Sequence, residues 1–221
     1  MSAVPADVPL SVVLTRLRSA TQRSEERLAL GSVLGPAIDE VLAGGLLRGA
    51  VVEIASPAGR ARSTSIAIAA CVAAQQEARR FGSTALCAWI DPARTLFGPG
   101  VRARGVDLAR FFVVTPDVSL LPRAAVRIAE SRAFSVVVID AAGLETLERF
   151  PTIVRRLALA IEKTSCSVLL LTDLDARRGL PLPTAARVEL SRTEVDAIAV
   201  RVAKDRHGRI TSSTRVPLST R

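Results

Sequence analysis

The sequence has no tyrosine, one tryptophan, one histidine and three cysteines among its 221 residues. Each shortage excludes a class of chemistry. With aromatics at 3%, there is no platform on which nucleic-acid bases could stack. A lone His207 excludes histidine-dependent triads, and Cys71, Cys87 and Cys166 lie too far apart in the chain to suggest a metal centre. Each cysteine sits in an apolar segment and reads as a buried free thiol of a reducing compartment. No apolar run reaches the ~18 residues of a membrane span; the longest, Ile66–Ala74, is short and alanine-rich. Met1–Pro9 has neither the basic start nor the apolar stretch of a secretory signal. These features predict a cytoplasmic protein that needs no metal, no cofactor and no membrane. Lysine is scarce too. Lys163 and Lys204 are the only ones, so the 30 basic residues are almost all arginine.

Against these shortages stand 49% hydrophobic residues and a net charge of +9. The first supports one domain with a substantial core. The second, with a sequence pI of about 11.1, suits a polyanionic partner such as single-stranded DNA, held through phosphates rather than bases. Arg79/Arg80 and Arg155/Arg156 read as solvated helix faces.

Leu10, Val13, Leu14 and Leu17 have the one-face spacing of an amphipathic helix. Residues 1–30 are therefore expected to form a helical extension, and 31–221 the core. Within the core, Ala50–Ala55, Thr84–Ile90, Phe111–Val114, Ser135–Ile139 and Ser167–Leu171 read as strands. Helices over Ser63–Arg80, Pro122–Arg132 and Pro151–Thr164, with a helical turn near Val101–Arg104, separate them. This alternation predicts an α/β fold with a buried, mainly parallel sheet. Arg187–Ser191, Ala197–Ala203 and Thr214–Pro217 follow without helices, which predicts antiparallel strands at the C-terminal end.

The strand Val51–Ile54 leads through a turn into the helix at Ser63, the context of a phosphate-binding loop. Such a loop, G-x-x-x-x-G-K-[ST], uses glycines to expose backbone N–H groups, a lysine for the β/γ-phosphates and a hydroxyl for magnesium. Here Ser56, Ala61 and Arg62 replace the two glycines and the lysine, while Gly59 lies inside the turn and Ser63 keeps the hydroxyl.

Taken in order, Gly44–Ile54, Cys87–Asp91, Gly105–Leu108, Val136–Asp140 and Val202–Arg206 resemble successive segments of RecA recombinases. The likeness covers about residues 31–217. It implies a RecA-like P-loop NTPase core with Asp140 as the aspartate that supports magnesium. It also implies that Ala93 occupies the position of the water-activating glutamate and Asp173 that of the γ-phosphate-sensing glutamine. A methyl group cannot accept a proton, and a carboxylate repels a triphosphate, so hydrolysis is expected to be lost. The stretch Asp173–Pro183 is short for a second DNA loop but keeps Arg177 and Arg178. With Lys204 and Arg206, these are the candidate DNA contacts.

What remains is similar to the ImuA family, RecA-related accessory proteins of bacterial SOS mutagenesis cassettes. The resemblance implies a non-catalytic role in damage-induced translesion synthesis, association with the nucleoid after damage, and three protein partners. These are RecA recombinase, an inactive Y-family polymerase homologue (ImuB-like), and the alpha subunit of an error-prone replicative-type polymerase. Leu10, Val13, Leu14 and Leu17 are the candidate partner-binding residues. A divergent DNA-dependent ATPase, or a simple basic DNA-binding module, is the alternative.

Overall fold

The computed structural model describes residues 27–57, 63–144, 147–176, 181–192 and 197–217. In chain order its strands are β1 (Arg27–Leu28), β2 (Leu46–Leu47), β3 (Ala50–Ser56), β4 (Leu86–Ile90) and β5 (Phe111–Val114). They continue with β6 (Phe134–Asp140), β7 (Ser167–Asp173), β8 (Ala186–Arg192), β9 (Ala197–Asp205) and β10 (Thr214–Pro217). The helices are α1 (Gly31–Leu34), α2 (Pro36–Val41), α3 (Ser63–Arg80), α4 (Gly98–Ala103), α5 (Leu121–Glu130) and α6 (Phe150–Ile161). Strands β1 and β2 pair with each other, and the remaining eight form one sheet in the order β10-β9-β8-β3-β7-β6-β4-β5. Pairing is parallel from β8 across to β5 and antiparallel among β8, β9 and β10. The architecture is therefore mixed α/β, with a mainly parallel sheet and antiparallel C-terminal strands. Among the described residues no helix is long and apolar enough to cross a membrane.

The apolar runs are continuous because alternate residues serve two cores. Val52, Ile54, Cys87, Trp89, Val136, Val138, Leu169 and Leu171 face one core, which α3 covers. Val51, Ala88, Ile90, Val137, Ile139, Val168 and Leu170 face the other, under α5 and α6. Helix α6 stops at Ile161, where the Thr164 hydroxyl donates to the Ile161 carbonyl at 2.7 Å and Lys163 turns left-handed. All three cysteines are buried and free.

Two features depart from the sequence expectation. The folded core starts before residue 31: Arg27 and Leu28 pair with Leu47 and Leu46, and both Leu28 and Leu30 are buried in the α3 core. Secondly, 27–47 forms a layer on the α3 side of the sheet, with β1 and α1 against α3 and α2 against β9 and β10, and contributes Leu34, Ile38, Leu42, Leu46 and Leu47 to the same core. This second cover explains why Ile66–Ala74 is buried all round instead of along one stripe. The layer is tied by Asp39, whose carboxylate accepts from the Leu30 and Gly31 amides, each at 2.7 Å. It also needs Gly45, at φ +121°, where a Cβ would stand 2.2 Å from the Leu28 carbonyl oxygen. The stripe from Leu10 to Leu17 lies outside the described residues.

One charged residue breaks the apolar rule of the central strand. Glu53 is 1% exposed in β3, and its Oε1 accepts from Arg187 Nη1 at 2.6 Å and from the Thr172 hydroxyl at 2.9 Å. Arg187 lies directly across on β8 and also donates from Nε to Glu189 at 2.9 Å. A buried carboxylate persists only with such compensation. Arg187→Met is expected to cost about 3–5 kcal/mol, read as a lower urea midpoint. Adding Glu53→Gln should recover much of the loss. Equal stability of wild type and the single variant would contradict this account.

Candidate functional site

Parallel strands bring their carboxyl ends to one edge, and ligand-binding crevices of open α/β sheets form along that edge. Here β3, β7, β6 and β4 place Ser56, Asp173, Asp140 and Asp91 side by side there. Ser56 pairs in register with Asp173, and Asp140 with Leu171 one strand further on. The Ser56 hydroxyl donates to the Ser63 hydroxyl at 3.3 Å, joining the end of β3 to the first residue of α3. Both serines are buried. Gly59, Ala61 and Arg62 lie outside the described residues.

The three aspartates hold the loops of this edge together. Asp173 Oδ2 accepts from the Gly143 amide at 2.7 Å, tying the β7 end to the loop after β6. Asp140 Oδ1 accepts from the Ala142 amide at 3.2 Å. Asp91, 2% exposed, accepts from the Leu96 amide at 2.8 Å through Oδ2, while its buried Oδ1 has no hydrogen-bond partner among the described residues. Burial pushes the Asp140 carboxyl up to about 6, the Ala142 amide pulls against it, and the charges of Asp91 and Asp173 raise it further. Beside Asp140 opens a cleft of about 350 Å³, lined among others by Thr64, Ser65, Thr95, Phe97 and Arg104. Its hydroxyls and arginine could engage a polar ligand. Among the described residues, however, no group of three or more His, Cys, Asp or Glu side chains is arranged to hold a metal ion.

Ala93 is exposed in the turn after Asp91, and its methyl group offers no proton acceptor. The structure thus gathers Ser56, Ser63, Asp140 and Ala93 at one edge. It puts Lys204 and Arg206 elsewhere. Lys204 lies across from Arg187 on β9, and its ammonium donates to the Leu182 carbonyl at 2.9 Å. Burial lowers its pKa and the nearby Glu53 works against that. Arg206 follows β9 toward the amino edge, where its amide donates to the Ala185 carbonyl at 2.8 Å and its Nε to His207 at 3.0 Å. Arg177 and Arg178 lie outside the described residues. The mutual proximity of Asp91, Asp140 and Asp173 was hidden in the sequence, although each ends or follows an apolar run, which is the signal that could have found them.

Comparison with models of known protein families and with curated proteins finds no match for this chain.

The raised Asp140 pKa has a testable consequence. Its folded value exceeds the unfolded one, so the native state holds the proton more tightly. The stability this proton contributes is complete below about pH 4 and is lost as pH rises through about 6. Asp140→Asn keeps the acceptor for Ala142 and removes the charge. It should stabilise the protein by up to about 3 kcal/mol at pH 8 and by little near pH 4. Thermal melts at the two pH values check this, and equal shifts at both would refute it.

Proposed function

We propose that this protein is a non-catalytic, RecA-like accessory factor of damage-induced translesion DNA synthesis, acting by binding other proteins and DNA. The observation that carries the reading is the placement of Asp91, Asp140 and Asp173 along the carboxyl edge, where burial raises the Asp140 carboxyl to about 6 and the other two charges add to the shift. A triphosphate brought there would meet three carboxylates, where phosphoryl transfer depends on cationic and backbone N–H stabilisation of developing negative charge. Ala93, exposed where the resemblance expects the base, supports the same reading. So do Ser56 and Ala61 in place of loop glycines. The parallel sheet with α3 directly after β3 agrees with a RecA-like P-loop core whose catalytic parts have been replaced.

The partners we propose are RecA recombinase, an inactive Y-family polymerase homologue and an error-prone replicative-type polymerase alpha subunit, with single-stranded DNA as a phosphate-contacted ligand. The proposal rests on the ordered segments that resemble RecA and on the loss of its catalytic groups, which together leave a scaffold. The protein would act near the nucleoid after damage.

Purified protein should hydrolyse no ATP above background, with or without magnesium and single-stranded DNA. Arg62→Lys should not restore turnover, since base and glycines would still be missing. Turnover that disappears in Asp140→Ala would establish the ATPase reading instead. The stripe Leu10, Val13, Leu14 and Leu17 is the proposed partner contact. A Leu14→Asp/Leu17→Asp protein should melt normally yet lose RecA or polymerase association by at least about tenfold in pull-downs, since charge would replace apolar contact. Early melting of that variant would assign the stripe to the protein's own core.

A further inference from the structure

On the face of the sheet opposite α3, a groove of about 470 Å³ runs between α5 and α6. Its floor is apolar, made by Pro122, Val126 and Ile153, and its walls carry Arg123, Arg127 and Arg156. Arg123 and Arg127 stand four residues apart on α5, one helical turn, so they line the same wall. Arg127 and Arg156, 74% and 64% exposed, share the single carboxylate of Glu130 at 3.4 and 4.0 Å. No ion pair of Arg123 is found among the described residues. Three guanidinium groups thus face one carboxylate. Ser119 also lines the groove, and its chain neighbours Val118 and Leu120 are 56% and 49% exposed.

We propose that this groove binds an acidic, amphipathic segment of a partner protein. Its carboxylates would pair with Arg123, Arg127 and Arg156, and its apolar side chains would cover Val118, Leu120 and the floor. Arginine suits this role because its planar fork binds a carboxylate through two hydrogen bonds and its stem packs on apolar surface. A phosphate backbone would satisfy the arginines but leave the apolar floor and the exposed Val118 and Leu120 without a counterpart. No aromatic ring lines the groove to stack a base. The apolar component therefore favours a protein segment over nucleic acid. The groove shares no lining residue with the cleft beside Asp140, so the proposal does not rest on the loss of ATP chemistry.

The test uses the full chain and three labelled probes. They are a helical peptide of about 18 residues with Leu and Glu on one face, the same peptide with Gln for Glu, and a single-stranded oligodeoxynucleotide of equal length. The acidic peptide should bind with salt-sensitive affinity, and the Gln peptide at least about tenfold more weakly. Arg123→Glu/Arg156→Glu should lose about tenfold or more, while Arg80→Glu/Arg102→Glu, an equal charge change elsewhere, should keep binding. If the first variant melts early, Arg123→Gln/Arg156→Gln replaces it. Amide shifts on titration should concentrate on α5 and α6. No binding of the acidic peptide, or equal binding by the groove and control variants, overturns the proposal. Tighter binding of the oligonucleotide that is lost in the groove variant also overturns it and makes the groove a nucleic-acid site.

Discussion

A strand covered on both faces must supply apolar side chains in both directions, and the central strands of this sheet all meet that demand. Alternate residues of β3, β4, β6 and β7 feed one core under α3 and another under α5 and α6. Every later feature depends on that double cover. It fixes which ends of the strands lie together, hence which loops meet at the carboxyl edge. It also makes Glu53 costly, since a carboxylate in the middle of β3 has no access to water and is held by Arg187 and Thr172. The price of that charge is met on β8, the strand at which parallel pairing gives way to antiparallel, so the C-terminal strands are coupled to the centre of the sheet.

The carboxyl edge puts acidic side chains where the strands of a parallel sheet end. Strand β3 ends there at Ser56, and α3 begins at Ser63. The acidic side chains are aspartates that bind neighbouring loop amides, so they brace the edge. Asp173 joins the β6 and β7 loops, and Asp91 holds the segment leading to α4. These carboxylates have a structural use, because accepting backbone N–H bonds secures loops in whatever conformation the core imposes.

Charge is divided in space as well as in sequence. The carboxyl edge gathers acid beside α3, while α5 and α6 carry arginines over the opposite core. A chain with net charge +9 thus holds both a local acidic cluster and a groove lined by arginines. The overall charge is a poor guide to either.

The strands, the main helices and the change from helix-linked to directly linked strands were legible in the sequence, because apolar runs, prolines at helix starts and connection lengths mark them. Phe111–Val114 and Thr214–Pro217 were read with the bounds that the structure gives them, and Ser63–Arg80 was readable from its cap and its alanine-rich run. The layer 27–47 was not legible, since its elements are short and gain their order by packing on α3, β9 and β10 and by closing over Gly45. Nor could the sequence show that Asp91, Asp140 and Asp173 share one environment, or that Arg156 shares Glu130 with Arg127 on another helix. Residue type and spacing determine what one element prefers. Contacts between elements far apart in the chain follow from strand order and helix placement, which tertiary packing alone decides.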